Sequence, residues 1–341
     1  MNGTLRTLAA LGEAGLVVPS PALEAVAQRY AIALTPTMQA RIETPDDPIA
    51  RQFLPRAEEL EAAPHENPDP IGDHAHSPLP GLVHRYPDRV LVKLTHSCPV
   101  YCRFCFRREM VGPKGHGNLD EAQLDAIVAY LAAHPGIVEV IFTGGDPLML
   151  SARRIKTLGA RLAALPHVRL VRWHTRVPVV APERITPALV SALKFPGKAN
   201  YVSIHANHAR EFSSEAQKAI ARLADGGIAL LGQSVLLKGV NDNPDALRAL
   251  FCEMAAHRIT PAYLHHPDLA PGTAHFRPTI AEGQALYAGL RGTLSGHAIP
   301  AYVLDLPGGH GKVEISSARL ERSGEGYRLL DPQGVWRAYQ D

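Results

Sequence analysis

Four cysteines in 341 residues are too few for a disulfide framework, and three of them crowd into CPVYCRFC (98–105). That scarcity points to a reducing compartment, hence to the cytoplasm. No apolar run approaches the roughly 20 residues needed to cross a bilayer. Neither sign of charge dominates: the formal charge is +2, so composition offers no case for a nucleic acid or a membrane surface as partner. The opening MNGTLRTLAALGEAGLVVPS has an acidic residue and no cleavage-site pattern, so no secretory signal is expected. What remains, 46 % hydrophobic and 20 % charged, is the composition of a globular chain long enough to bury a large core.

Ser20-Pro21, Thr35-Pro36 and Asp47-Pro48 each set an N-cap residue before a proline, which predicts short helices near the N-terminus. From about 62 to 82 the text becomes EAAPHENPDPIGDHAHSPLPGL, whose proline density favours an extended connector. Strand-like runs then alternate with helical ones. RVLVKLT, VEVIFT, VRLVRWH, YVSIH, IALLGQSVLL, ITPAYLH and IPAYVLDL read as strands, with amphipathic segments between them. The first of those helices is expected to start at a capping box of Asn118 and Glu121. This α/β rhythm predicts a partial (β/α) TIM-like barrel with an N-terminal helical extension, a doubly wound open sheet being the alternative. The expected division is a helical region at 1–62, a connector at 63–83, the barrel at 84–313 and a tail at 314–341. Polar signatures follow the strands (CPVYCRFC, GGDP, HANH, HHPD, DLPGGHGK), so the site is expected at the C-terminal ends of the barrel strands.

Cys98, Cys102 and Cys105 follow C-x3-C-x2-C spacing, so three thiolates can surround one compact metal object. A structural zinc usually takes four ligands, and Cys252, among Leu250, Phe251 and Met254, reads as a small buried apolar residue. Four-iron clusters also normally take four thiolates, and with three, one iron is left open to a substrate or cosubstrate. Zinc stays the plainer alternative. In LDLPGGHGKVE (304–314) Leu306 and Val313 break the G-x4-G-K-[ST] pattern, which excludes a P-loop. Lys312 on a mobile glycine-rich loop suits a Schiff-base lysine instead, against the plainer reading of a solvated surface lysine.

C-x3-C-x-aromatic-C, with Phe104 in the aromatic slot, resembles the signature of radical S-adenosylmethionine (radical SAM) enzymes. The resemblance implies a [4Fe-4S] cluster on Cys98, Cys102 and Cys105, with S-adenosyl-L-methionine on the open iron and a 5′-deoxyadenosyl radical formed by its reductive cleavage. GGDP is similar to the second signature of those enzymes and implies that Gly144, Gly145 and Asp146 meet the methionine end of the cosubstrate. More narrowly, HRYPDRVL, CRFCFRR, GGDPL, PVVAPERITP, GQSVLLKGVND, DLAPGTAHFR and VLDLPGGHGK resemble, in order, stretches of lysine 2,3-aminomutase and its relatives over about residues 68–313.

That resemblance implies an isomerase that moves the 2-amino group of L-lysine to C3 and draws electrons from a reductant such as flavodoxin or ferredoxin. Pyridoxal 5′-phosphate (PLP) would be joined to Lys312. Arg107 would pair with the substrate carboxylate, and Asp268 and Asp305 would receive the side-chain ammonium. Arg85, Arg89 and Gln233 would hold the PLP phosphate and ring, and His205 and His208 are expected to pack nearby. The chain is similar to short forms without the C-terminal cysteines that bind zinc at a subunit interface, so a homo-oligomer stays open. Short forms include a branch that makes (R)-β-lysine for elongation factor P, although the Asp-x-Pro-Gly-Gly-x-Gly-Lys form kept here is not typical of it. A relative acting on another amino acid, a radical enzyme without PLP acting on RNA or protein, and a zinc-stabilised binding module are the rival readings.

Overall fold

All three residue pairs of the cap-then-proline type start helices in the computed structural model. Ser20 accepts from Leu23 N–H, Thr35 from Met38 N–H, and Asp47 from the N–H groups of Ile49 and Ala50. The structure describes residues 3–61, 63–112, 117–316, 320–323, 326–330 and 335–339, and the expected boundary at 62 lies outside them. The N-terminal helices are α1 (Leu8–Glu13), α2 (Pro21–Arg29), α3 (Pro36–Gln39) and α4 (Pro48–Phe53).

A sheet of nine strands follows, each hydrogen-bonded to its neighbours in chain order. They are β1 (Leu82–Tyr86), β2 (Arg89–Thr95), β3 (Glu139–Gly144), β4 (Leu170–Thr175), β5 (Ala199–His205), β6 (Ala229–Val235), β7 (Thr260–His265), β8 (Ala301–Leu306) and β9 (Gly311–Glu314). Pairing from β2 through β8 is parallel, whereas β1 and β9 run antiparallel at the two edges. The connections carry α5 (Glu121–Ala133), α6 (Ala152–Ala163), α7 (Val177–Val180), α8 (Pro187–Leu193), α9 (Ser214–Asp225), α10 (Pro244–Ala256) and α11 (Ile280–Leu290). All seven parallel strands lie where the apolar runs predict them, and the barrel is nearly closed. Three further strands, Leu320–Ser323, Gly326–Leu330 and Trp336–Tyr339, form a separate antiparallel sheet in the tail.

Alternation along each strand divides the barrel into two environments. Val90, Val92, Phe142, Trp173, Val202 and Leu264 face outward into the helix-covered core. Phe142 stacks at 4.4 Å on Trp173, with Phe195 edge-on to both. Each such fully buried side chain contributes about 1.5–3 kcal/mol. The opposite parity points inward and is mixed. Leu91, Ile141 and Leu231 lie deeper, and Lys93, Thr143, His174, His205, Gln233, His265 and Asp305 gather toward the C-terminal ends of the strands, around a chamber.

Three expectations change. Helix α5 is capped by Asp120 with Gln123, two residues later than the Asn118–Glu121 box, because Asn118 is taken up by a bridge to Thr95 at the end of β2. Cys252 is exposed: α10 buries Leu247, Leu250, Phe251 and Met254, and the next position round the helix faces water. Lys312 sits on a strand and not on a free loop, since the turn at Pro307–Gly309 sends β9 back along β8 with Asp305 opposite Lys312.

The N-terminal region is riveted to the cysteine loop by a buried carboxylate. Arg103 Nε donates to Glu59 Oε1 and Oε2 at 2.9 and 3.1 Å, and Arg108 Nη2 donates to Oε2. Arg103 Nη1 reaches Ala31 O at 2.9 Å, and the Arg108 guanidinium lies 3.5 Å over the Tyr30 ring. Burial alone would raise the Glu59 carboxyl, but the two guanidiniums outweigh it and hold it below its ordinary range. Glu59→Gln strands two buried cations and is expected to cost about 3–5 kcal/mol. Anaerobic thermal melting of the variant checks this, and an unchanged midpoint would contradict it.

Candidate active site

The cysteine loop leaves the C-terminal end of β2, and Cys98, Cys102 and Cys105 line one cavity with Tyr30, Tyr101 and Arg108. The thiols lie deep yet face open space, so each keeps some accessible surface. Burial pushes the Cys105 thiol up to about 11, with the charge of Cys102 adding to it, and Cys98 is raised for the same reasons, with Asp146 contributing. Three soft sulfurs that repel one another as thiolates are a donor set suited to a shared cationic iron centre. One counter-charge is built in, because Arg176 Nη1 donates to Cys102 Sγ at 3.0 Å. Arg176 is itself held by Glu211 at 2.5 Å and Gln52 at 3.0 Å.

The two glycines of GGDP pack closely against the chain itself on the side a Cβ would occupy. A Cβ on Gly144 (φ +114°) would meet Thr95 O at 2.4 Å, and one on Gly145 would meet Ser97 O at 2.4 Å. Their close approach is to the chain's own entry into the cysteine loop, where Gly145 N–H donates to Thr95 O and Asp146 N–H to Ser97 O. The Asp146 carboxylate is likewise engaged, accepting from Leu148 N–H, Thr175 Oγ1 and Arg176 N–H. This trio locks β3, β4 and the cysteine loop together.

Across the chamber, Lys312 Nζ donates to Asp305 Oδ2 at 2.5 Å and lies 3.3 Å from His265 Nδ1 and 5.4 Å from the Tyr263 ring centre. Burial would raise the Asp305 carboxyl, but His265 and the Lys312 ammonium prevail and hold it well below the carboxylate range. Asp268 is the opposite case. Burial, and next the charge of Asp305, push it up to about 7, and its Oδ1 is buried with no hydrogen-bond partner. Burial, with Lys312 adding to it, lowers His265, so it is neutral at pH 7. Gln233 stands between His205 of β5 and Tyr263 of β7 in the strand register.

At the open seam between β1 and β9, Lys312 N–H donates to Tyr86 Oη at 3.0 Å, and Arg89 stacks 3.8 Å over the Tyr86 ring while pairing with Asp88. Arg89 therefore meets the site by way of Tyr86. Arg85 and Arg107 come together on one acid, Asp73, which Lys93 also approaches. Three cations around one carboxylate leave an excess of positive charge that fits a phosphate or carboxylate ligand.

The sequence reading missed Asp73, Lys93, Arg176 and His265. Lys93 had a signal, being a lysine at inward parity set between Val92 and Leu94 in the apolar middle of its strand. His205 packs edge-on to Phe104 and bonds Asn207, and His208 caps the short turn at Ala209–Glu211.

A model of the Radical SAM superfamily matches residues 92–250. The barrel and its three-cysteine loop thus define a radical SAM enzyme. The chain is 41 % identical to the L-lysine 2,3-aminomutase of Acetoanaerobium sticklandii over 80 % of its own length and 66 % of that protein's. It is 39 % identical to the L-lysine 2,3-aminomutase of Clostridium subterminale, covering 91 % of this chain and 75 % of that one. The glutamate 2,3-aminomutase of Clostridioides difficile is 33 % identical, over 90 % of this chain and 73 % of that one. The chain belongs to the lysine 2,3-aminomutase family. It spans about two thirds to three quarters of the length of these relatives. Membership implies a [4Fe-4S] cluster, S-adenosylmethionine and PLP, and the thiolate trio and the cation-rich pocket suit them.

Proposed function

We propose that the protein is an L-lysine 2,3-aminomutase working in the cytoplasm with electrons from a flavodoxin- or ferredoxin-type donor. When bound, the cofactors supply a 5′-deoxyadenosyl radical that takes and returns a C3 hydrogen, and a covalent carrier for the migrating nitrogen. Cys98, Cys102 and Cys105 hold the cluster, with Arg176 steadying the Cys102 sulfur. Gly144, Gly145 and Asp146 shape the S-adenosylmethionine side by fixing the cysteine loop. Arg85 and Gln233 hold the PLP phosphate and ring, Arg89 contributes to the same subsite by way of Tyr86, and Lys312 carries PLP, its amine placed by Asp305 and His265. Arg107 binds the substrate carboxylate.

The observation that carries the choice of lysine is the pair Asp268 and Asp305: Asp305 accepts from the Lys312 amine, while Asp268 has an orphaned oxygen and feels the charge of Asp305. A substrate ammonium between them relieves their repulsion, whereas a glutamate side chain would add a third negative charge. The division into a helical region, a connector, a barrel and a tail at the boundaries given above is proposed with it. Anaerobic incubation with S-adenosylmethionine, PLP and dithionite is expected to convert L-lysine to β-lysine and to leave L-glutamate unchanged. Product analysis showing neither β-lysine nor 5′-deoxyadenosine would end this reading.

A further inference from the structure

Asp73 lies in the Pro/His/Asp-rich stretch that the sequence presents as a plain connector, yet it is 2 % exposed and surrounded by cations. Arg85 Nη2 is 3.2 Å from Oδ1, and Lys93 Nζ is 3.6 Å from Oδ2. Arg107 donates to the same Oδ2 twice, from Nη2 at 3.1 Å and from Nε at 3.3 Å, while its Nη1 donates to Thr143 Oγ1 at 3.2 Å. A guanidinium has five N–H bonds. The acid on its flank and the threonine at its far corner engage three of Arg107's, leaving two for an incoming partner. Next to this acid, Gly72 (φ +68°) abuts the turn that leads to Lys312, since a Cβ there would lie 2.5 Å from Gly308 C and Gly309 N.

We propose that Asp73 is the positioning residue of the carboxylate subsite: it aims Arg107 at the substrate and, by sharing Arg85, sets the spacing between the substrate carboxylate and the cofactor phosphate. This rests on the reading of Arg107 as the carboxylate partner. A carboxylate beside an anion site would by charge alone weaken anion binding, so a merely electrostatic Asp73 predicts that its neutralisation tightens substrate binding. A positioning Asp73 predicts the reverse, because Arg85, Lys93 and Arg107 would repel one another and Arg107 would lose its flank. Nor does neutralisation simply add positive charge. Burial already lowers the Lys93 ammonium, which can shed its proton once Asp73 is gone, as the arginines cannot.

The experiment is steady-state turnover of L-lysine by anaerobically reconstituted holoenzyme, wild type against Asp73→Asn, with PLP titrated by absorbance in parallel. Expected are a KM for lysine raised about tenfold or more, a kcat changed much less, weaker PLP binding, and partial recovery of KM in Asp73→Glu. A purely structural role would reduce the yield of folded enzyme without moving the KM of what folds. An unchanged or lower KM in Asp73→Asn, with active wild type, overturns this proposal alone, whereas a wild type that does not turn lysine over overturns the function proposed above and this inference with it. Should Asp73→Asn not fold, Thr143→Val removes the other hold on Arg107. A KM raised about threefold then supports the proposal, and an unchanged KM overturns it.

Discussion

Lys312→Ala is expected to lose at least about 1,000-fold in β-lysine formation while retaining its full complement of iron and sulfide. The lysine nitrogen is the covalent anchor in the proposed function, and the cysteine loop lies across the chamber on a different strand end. The substitution also removes the 2.5 Å partner of Asp305, so a loss of activity could reflect a disturbed carboxylate. Lys312→Arg separates the two effects, since it restores a cation for Asp305 but does not supply a nucleophile, and it is expected to be as inactive as the alanine variant. Borohydride treatment followed by mass spectrometry gives an independent readout. A pyridoxyl mass should appear on Lys312 in the wild type and on no residue in either variant. Appreciable turnover by both variants, or label on another lysine, would contradict the assignment.

Asp268→Asn is expected to raise the KM for L-lysine by about 30- to 4,000-fold, the range for removing one partner of a buried charge pair. Asp268 makes no hydrogen bond to Lys312, so the loss falls on the substrate ammonium and not on the anchor. The pH dependence is a sharper test. With its carboxyl pushed up to about 7 by burial and by Asp305, Asp268 is protonated below that pH in the free enzyme and cannot pair with an ammonium. The value of kcat/KM should therefore climb as pH rises from 6 to 8, and the slope should flatten in Asp268→Asn. Asp305 contributes no inflection there, because it is held ionised far below this range. A wild-type profile that is flat across pH 7, with unchanged lysine affinity in the variant, would remove Asp268 from the substrate site.

Other residues show where a one-dimensional reading succeeds. The Ser-Pro, Thr-Pro and Asp-Pro pairs start their helices because capping is local chemistry between residues two or three apart. The strands of the barrel follow from short apolar runs, and their inward and outward faces follow from parity, so even the placement of the polar signatures at one end was legible. The misreadings have a common character. Asn118 lost its cap to a bridge with Thr95, and Cys252 was turned to water while its neighbours on α10 took the core, each through packing against segments distant along the chain.

The sequence alone determined the capped N-terminal helices, the seven parallel strands, their order and the chemical types gathered at their ends, since backbone propensity and alternation act over a few residues. It did not determine the antiparallel edge strands β1 and β9 or the strands of the tail. Only the tertiary structure decided which of those groups share a charge. Glu59 serves Arg103 and Arg108, Asp73 serves Arg85, Lys93 and Arg107, and Asp305 takes Lys312 while Asp268 is left unpaired and rises toward neutral pH. Such sharing depends on distances of a few ångströms between strand ends and loops far apart in the chain. Burial amplifies those electrostatic interactions where no pattern along the chain can register them.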